Sequence, residues 1–246
     1  MRGGVRAALG CGVPLLLAAR WSEPGLAWAA LIAFWVVPTD PEWPGPRRFA
    51  MIAGFILASA LGAFLGVQLR PHLAVATLFA GLWCFIAVFA RVLGSAAASV
   101  GGMAAVVLLI VIGLQQPSSL AAAWSIAGTT LAGGIWGLVL ALLIGRRGLA
   151  GAPPAIASTR PWISTVRSNL TWQSLSLRHA ARFAIMAAGL TALIRALHLL
   201  HSHWVTLAAV IVLQTYPSAT WRRAVERLAG TIGGGAIAAA AALILH

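Results

Sequence analysis

The sequence predicts an all-α fold, a polytopic transmembrane helix bundle of about nine helices arranged as a tandem parallel repeat with an incomplete second copy. Three observations carry this expectation. Of the 246 residues, 61% are hydrophobic and 9% charged, and mean hydropathy is +0.93, a balance foreign to soluble domains. Apolar stretches close to the ~20 residues that cross a bilayer recur between breakers. The first 70 residues also align without a gap on residues 177–246, pairing Arg2 with Arg178, Arg6 with Arg182, Trp28 with Trp204, Thr39 with Thr215, Pro41 with Pro217, Arg47 with Arg223 and Gly54 with Gly230.

Since no backbone group can go unpaired in hydrocarbon, the apolar stretches read as helices. Six fall near 6–21, 24–38, 48–69, 73–90, 92–114 and 119–145. Ser22-Glu23-Pro24-Gly25, Pro41 to Pro46, Arg70-Pro71 and Gln116-Pro117 punctuate them. These six form a first repeat over 1–145. The polar stretch 146–177, with Pro153-Pro154, Pro161 and many Ser and Thr, reads as a cytoplasmic linker with an amphipathic turn around Trp162 to Trp172. Helices near 180–198, 203–216 and 223–245 then make 178–246 the first three helices of a second copy, which stops where the first has reached Arg70. Because the copy recurs deep in the chain, the apolar run after Met1 reads as a membrane helix and not as a cleavable signal.

All 17 basic residues are arginine, against only Glu23, Asp40, Glu42 and Glu226. The arginines lie between apolar stretches, a pattern that fits membrane loops and argues against a nucleic-acid partner. A cytoplasmic N-terminus leaves only Arg20, Arg70 and Arg195 outside and puts every other arginine inside. The expected location is therefore the bacterial inner (cytoplasmic) membrane, multi-pass. Cys11 and Cys84 sit within apolar segments and read as small buried hydrophobes, so no disulfide framework is expected.

The segment from His203 to Gly235 resembles the fusaric acid resistance and aromatic acid exporter family (FUSC-like). That family has a short helix from an aromatic-Trp pair to Gln-Pro, then a Thr-x-x-Arg stretch and a Gly-rich helix. Trp204, Gln214, Pro217, Thr220, Arg223, Arg227, Gly230, Thr231 and Gly234 fill those places here. In the earlier copy Pro38 stands where the Gln would be. The resemblance implies efflux of aromatic or other weak carboxylic acids. A passive organic-anion channel and a non-transporting membrane assembly subunit remain as alternatives.

Residue chemistry points to candidate sites independently. The two shortest spans, 24–38 and 203–216, correspond between copies, and paired short spans mark transport sites because a helix ending within the membrane lines a cavity. Each precedes a loop and arginines: Arg47 and Arg48 in one copy, Arg222, Arg223 and Arg227 in the other. Guanidinium forks match carboxylates. Gln214, Thr215, Trp28 and Trp204 complete the candidate substrate site, the tryptophans offering stacking faces. Equally, such arginines set topology and such tryptophans form interfacial belts. His198, His201 and His203 read as interfacial, with proton coupling as the functional alternative. The four acids all fall at expected membrane edges. Gly62-x-x-x-Gly66, Gly133-x-x-x-Gly137 and Gly230-x-x-x-Gly234 read as close-packing devices. No catalytic motif, cofactor or metal site is legible, so the chain is expected not to be an enzyme. Expected partners are the lipid bilayer, small organic anions, and a homo-oligomeric copy or a periplasmic adaptor subunit.

Overall fold

In a computed structural model the described residues are 2–41, 46–114, 117–144 and 162–197, with short helical pieces at 205, 208–210, 225–226 and 228–233. The described residues form helices and no strands. The helices are α1 (Arg2–Trp21), α2 (Pro24–Thr39), α3 (Pro46–Leu69), α4 (Leu73–Phe89), a 3₁₀ turn (Ala90–Leu93), α5 (Ser95–Gly113), α6 (Leu120–Ile144), α7 (Trp162–Asn169) and α8 (Leu175–Ala196).

Among the described residues five segments are long and apolar enough to cross a membrane: α3, α4 with its 3₁₀ extension, α5, α6 and α8. α1 falls outside that set, with Arg2, Arg6 and Arg20 near its ends, and so does the apolar but 16-residue α2. The expected spans 203–216 and 223–245 lie largely outside the described residues, as does any superposition of the two copies. Two boundaries differ from expectation. α8 starts at Leu175, inside the expected linker, and α3 starts at Pro46. Polar residues and a first-turn proline suit helix starts, where N–H groups lack intrahelical partners anyway. The linker also holds a genuine short helix, α7, where an amphipathic turn was expected.

α5 occupies the middle. Every residue from Ala104 to Gly113 is buried, as befits a helix apolar all round. One side meets α3 and, with α2 and α6, builds a cluster around Ile32, Val36, Ile52, Phe55, Val107 and Val111. The other side meets α4 and α8 around Ala80, Cys84, Leu108, Phe183 and Ala187. Gly94, at φ +124°, turns the chain into α5 through a conformation that L side chains rarely adopt.

Close approach rests on small residues. On α4 the buried positions are Ala76, Ala80, Cys84, Val88 and, in the last turn, Phe89, whereas Leu78, Leu82 and Ile86 point outward. Along most of α4 small side chains thus face protein and large ones face outward. On α6 a β-carbon at Gly133 would overlap the carbonyl oxygen of Ala29, and one at Gly137 would press on Val36. Gly62 and Gly66 similarly admit Trp83 and Leu108. The first two glycine spacings are therefore packing devices. A β-carbon added at Gly230 would meet no described atom within 4 Å, and Gly234 lies outside the described residues.

Arg70 closes the far end of α3. Only 2% exposed, it donates from Nη2 to the Val111 carbonyl at 2.7 Å, in the last turn of α5, where carbonyls carry partial negative charge. Its own carbonyl accepts from Arg195 Nη2 at 2.9 Å. Burial, and then the neighbouring Arg195 charge, lower the Arg70 guanidinium to about 10.

Gly133→Ala is expected to destabilise the α2–α6 contact by about 1–3 kcal/mol, the usual range for overpacking, and to lower the melting temperature of detergent-purified protein. Gly128→Ala, where an added β-carbon meets nothing, is the neutral control.

Candidate functional site

The bundle end holding the start of α1, the end of α2, the start of α3 and the end of α6 is built around one carboxylate. Pro38 and Pro41 bring α2 to a stop, while the Thr39 hydroxyl donates to the Trp35 and Val36 carbonyls and the Asp40 N–H closes the last turn on Val36 and Val37. Asp40 is thereby fixed with its side chain fully buried. Its Oδ2 accepts from Arg6 Nη2 at 2.6 Å and from Arg48 Nη2 at 2.6 Å. Arg48 Nε reaches Oδ1 at 2.7 Å, completing a two-pronged pair. Arg48 Nη2 also donates to the Ala141 carbonyl at 2.7 Å.

Among the described residues this cluster joins two guanidiniums to one carboxylate with little solvent access, since the Arg6 and Arg48 side chains are 5% and 13% exposed. Arg6 Nε is buried with no hydrogen-bond partner. Arg47, the next residue on α3, is exposed at the same end. The arrangement presents positive potential to an anion approaching that end.

At the opposite end, the start of α2 and the first turns of α6 enclose a cleft of about 510 Å³. Glu23 stands at its rim, Trp28 and Leu31 form one wall, and Ser125, Ile126 and Thr129 the other. Trp28 Nε1 donates to Thr130 Oγ1 at 2.8 Å, and that hydroxyl donates to the Ile126 carbonyl at 2.6 Å. The indole is thus held in place and its ring packs edge-on to Trp35, with centroids 6.4 Å apart.

Of the residues expected to bind substrate, Arg47, Arg48 and Trp28 are described. Arg47 and Arg48 sit together at the cluster end, with the Arg48 fork engaged by Asp40. Trp28 lies twelve residues before Asp40 on α2, about 18 Å away along the helix axis, and belongs to the cleft. Gln214, Thr215, Trp204, Arg222, Arg223, Arg227, His198, His201 and His203 lie outside the described residues. Among the described residues no group of histidine, cysteine and carboxylate side chains could hold a metal. Sequence reasoning placed Asp40 at a membrane edge and missed its pairing with Arg6. The available signal was an acid closing one apolar span, with arginines opening that span's two neighbours.

Residues 185–246 match the family model described as fusaric acid resistance protein-like. The match begins within α8 and covers the stretch that carries the Trp204 to Gly234 motif. No curated protein and no solved structure shows significant similarity to the chain. With five segments among the described residues long and apolar enough to cross a membrane, this is a multi-pass membrane protein with a fusaric-acid-resistance-like segment.

Asp40→Asn is expected to take the shared counter-charge from Arg6 and Arg48 and to destabilise by about 3–5 kcal/mol. Arg6→Gln keeps the neutral Asp40–Arg48 pair and is expected to be the milder change. Thermal denaturation of the two purified variants gives the order, which reverses if Asp40 is not the organising charge.

Proposed function

We propose that the chain exports aromatic or other weak organic acids across the bacterial inner membrane, with its N-terminus in the cytoplasm. The observation that carries this reading is the fusaric acid resistance protein-like match over residues 185–246, the stretch in which Arg222, Arg223 and Arg227 follow a short apolar segment. The cluster end supports it. There Arg47 is exposed beside the internally paired Arg6–Asp40–Arg48 group, and Arg47 is the residue that the internal alignment pairs with Arg223.

In this reading a carboxylate leaving the cytoplasm is received by Arg47 and Arg223. Each guanidinium supplies charge-assisted hydrogen bonds roughly twice as strong as neutral ones, while Asp40 keeps Arg48 from competing for the substrate. The work is translocation, with no bond made or broken and no cofactor required. At the far end the Trp28 wall suits an apolar ring, and the Glu23 carboxylate at the rim disfavours an anion that lingers there, which promotes release. The domain division 1–145, 146–177 and 178–246 belongs to this reading, as does assembly with further copies of the chain or with a periplasmic adaptor.

Arg223→Gln and Arg47→Gln are expected to reduce cellular resistance to an aromatic acid at unchanged membrane abundance, whereas Arg160→Gln should leave it intact. Arg223→Lys separates fork recognition from a plain topology signal, since lysine keeps the charge and loses the two-pronged geometry. Normal export by both Arg223 variants would remove Arg223 from the site. Sidedness has its own check: a cysteine placed at Ser158 or Ser176 should resist membrane-impermeant thiol reagents in intact spheroplasts, and ready labelling would reverse the topology.

A further inference from the structure

Between α6 and α8 the chain carries an element that the transport reading does not use. α7 spans eight residues, Trp162–Asn169, and contains no buried residue. It packs on the 3₁₀ turn Ala90–Leu93, and Val166 touches the core cluster of α4, α5 and α8. The neighbouring apolar side chains turn outward: Trp162 is 67% exposed, Ile163 59%, Leu170 54% and Trp172 68%. Around the helix axis Trp162, Ile163 and Val166 fall within one arc of about 100°, with Ser164, Thr165 and Ser168 on the rest of the circumference. α7 is thus a small amphipathic helix that rests on the bundle through Val166 among others, with the edge formed by Trp162 and Ile163 exposed.

Position and charge say what covers that edge. α7 lies between the end of one spanning helix, α6, and the start of another, α8, at the end of the bundle that carries Arg6 and Arg48. That is the depth of the lipid headgroups, where tryptophan rings with an apolar body and a polar N–H are most at home. From Arg146 to Arg182 there are six arginines and no aspartate or glutamate. Of these, Arg167 is exposed on α7 and Arg178 in the first turn of α8. An apolar edge followed by exposed arginines is complementary to an anionic bilayer surface.

We propose that α7 with its flanks, Trp162 to Arg178, is an interfacial anchor that lies in the headgroup layer and selects anionic phospholipids, with Trp162, Ile163, Leu170 and Trp172 inserted and Arg167 and Arg178 contacting phosphates. The proposal stands apart from the transport reading, because it concerns the surrounding bilayer and no transported molecule.

The test uses the full chain. With Cys11 and Cys84 replaced by alanine, a fluorophore is attached at Thr171→Cys. The protein is reconstituted in phosphatidylcholine vesicles with or without phosphatidylglycerol, in each case with lipids carrying a quencher at the shallow end of the acyl chain. The expected result is strong quenching with phosphatidylglycerol, weaker quenching in phosphatidylcholine alone, and loss of the difference in high salt or in Arg167→Gln/Arg178→Gln. A parallel readout uses the unlabelled native chain. Native mass spectrometry after detergent release should find phosphatidylglycerol retained over phosphatidylcholine, with selectivity falling about fivefold for each arginine removed. Equal quenching in both membranes together with unchanged lipid selectivity in the double variant would overturn anionic recognition. Absence of quenching in either membrane would place α7 in water and overturn the anchor altogether.

Discussion

The carboxylate of Asp40 sits where four helix ends converge, and its burial constrains everything around it. A lone anion cannot remain out of water without strong partners, so Arg6 must come from α1 and Arg48 from α3. Arg48 then satisfies the Ala141 carbonyl at the end of α6. The ends of four helices are thereby aligned at one depth. Above that plane the packing is apolar and adaptable. At the plane it is directional, because the Arg48 fork accepts the carboxylate in one orientation. The register of α1 and α3 on α2 follows from this geometry.

The remaining order comes from surfaces that approach closely because they are small. Lipid tails are as apolar as leucine, so helices in a bilayer gain little by hiding large side chains from them and associate through backbone proximity and polar contacts. α6 presents Gly133 and Gly137 to α2, and α4 presents Gly81 to Ala184 and Ala188 of α8. α5, buried over its last ten residues, is the common wall of both clusters. Arg70 and Arg195 hold the opposite end, binding carbonyls at helix termini where partial negative charge collects.

Much of this was legible in the residues. Apolar runs bounded by proline and charge gave the helices, since breakers act locally and the bilayer fixes length. The spacings Gly62-x-x-x-Gly66 and Gly133-x-x-x-Gly137 were rightly read as packing, because an i, i+4 pair of missing side chains has few other uses. Tertiary pairing was less legible. Nothing local distinguishes Arg48, whose fork is engaged by Asp40, from its neighbour Arg47, which is exposed; only the meeting of α1, α2 and α3 does so. The cleft beside Trp28 escaped notice for the same reason, being made by α2 and α6, whose facing residues stand roughly a hundred positions apart. The 3₁₀ turn after α4 and the early start of α8 depend on fine balances at helix ends that residue patterns do not resolve.

The Asp40 cluster also implies a sequence of events during biosynthesis. Arg6, Asp40 and Arg48 all lie within the first 48 residues, so the acid can be neutralised as soon as α3 begins to leave the ribosome, and the first two helices can pair as a hairpin before the spanning helices are made. The Ala141 carbonyl follows 93 residues behind Arg48, as does the glycine surface that covers α2. For the whole interval in which α3, α4, α5 and α6 are being made, α2 has one end locked and one flank open to lipid. That flank carries the alanines against which α6 finally closes. Pairing of the early hairpin is therefore separable from its enclosure, and the later helices complete a structure whose polar register has already been chosen.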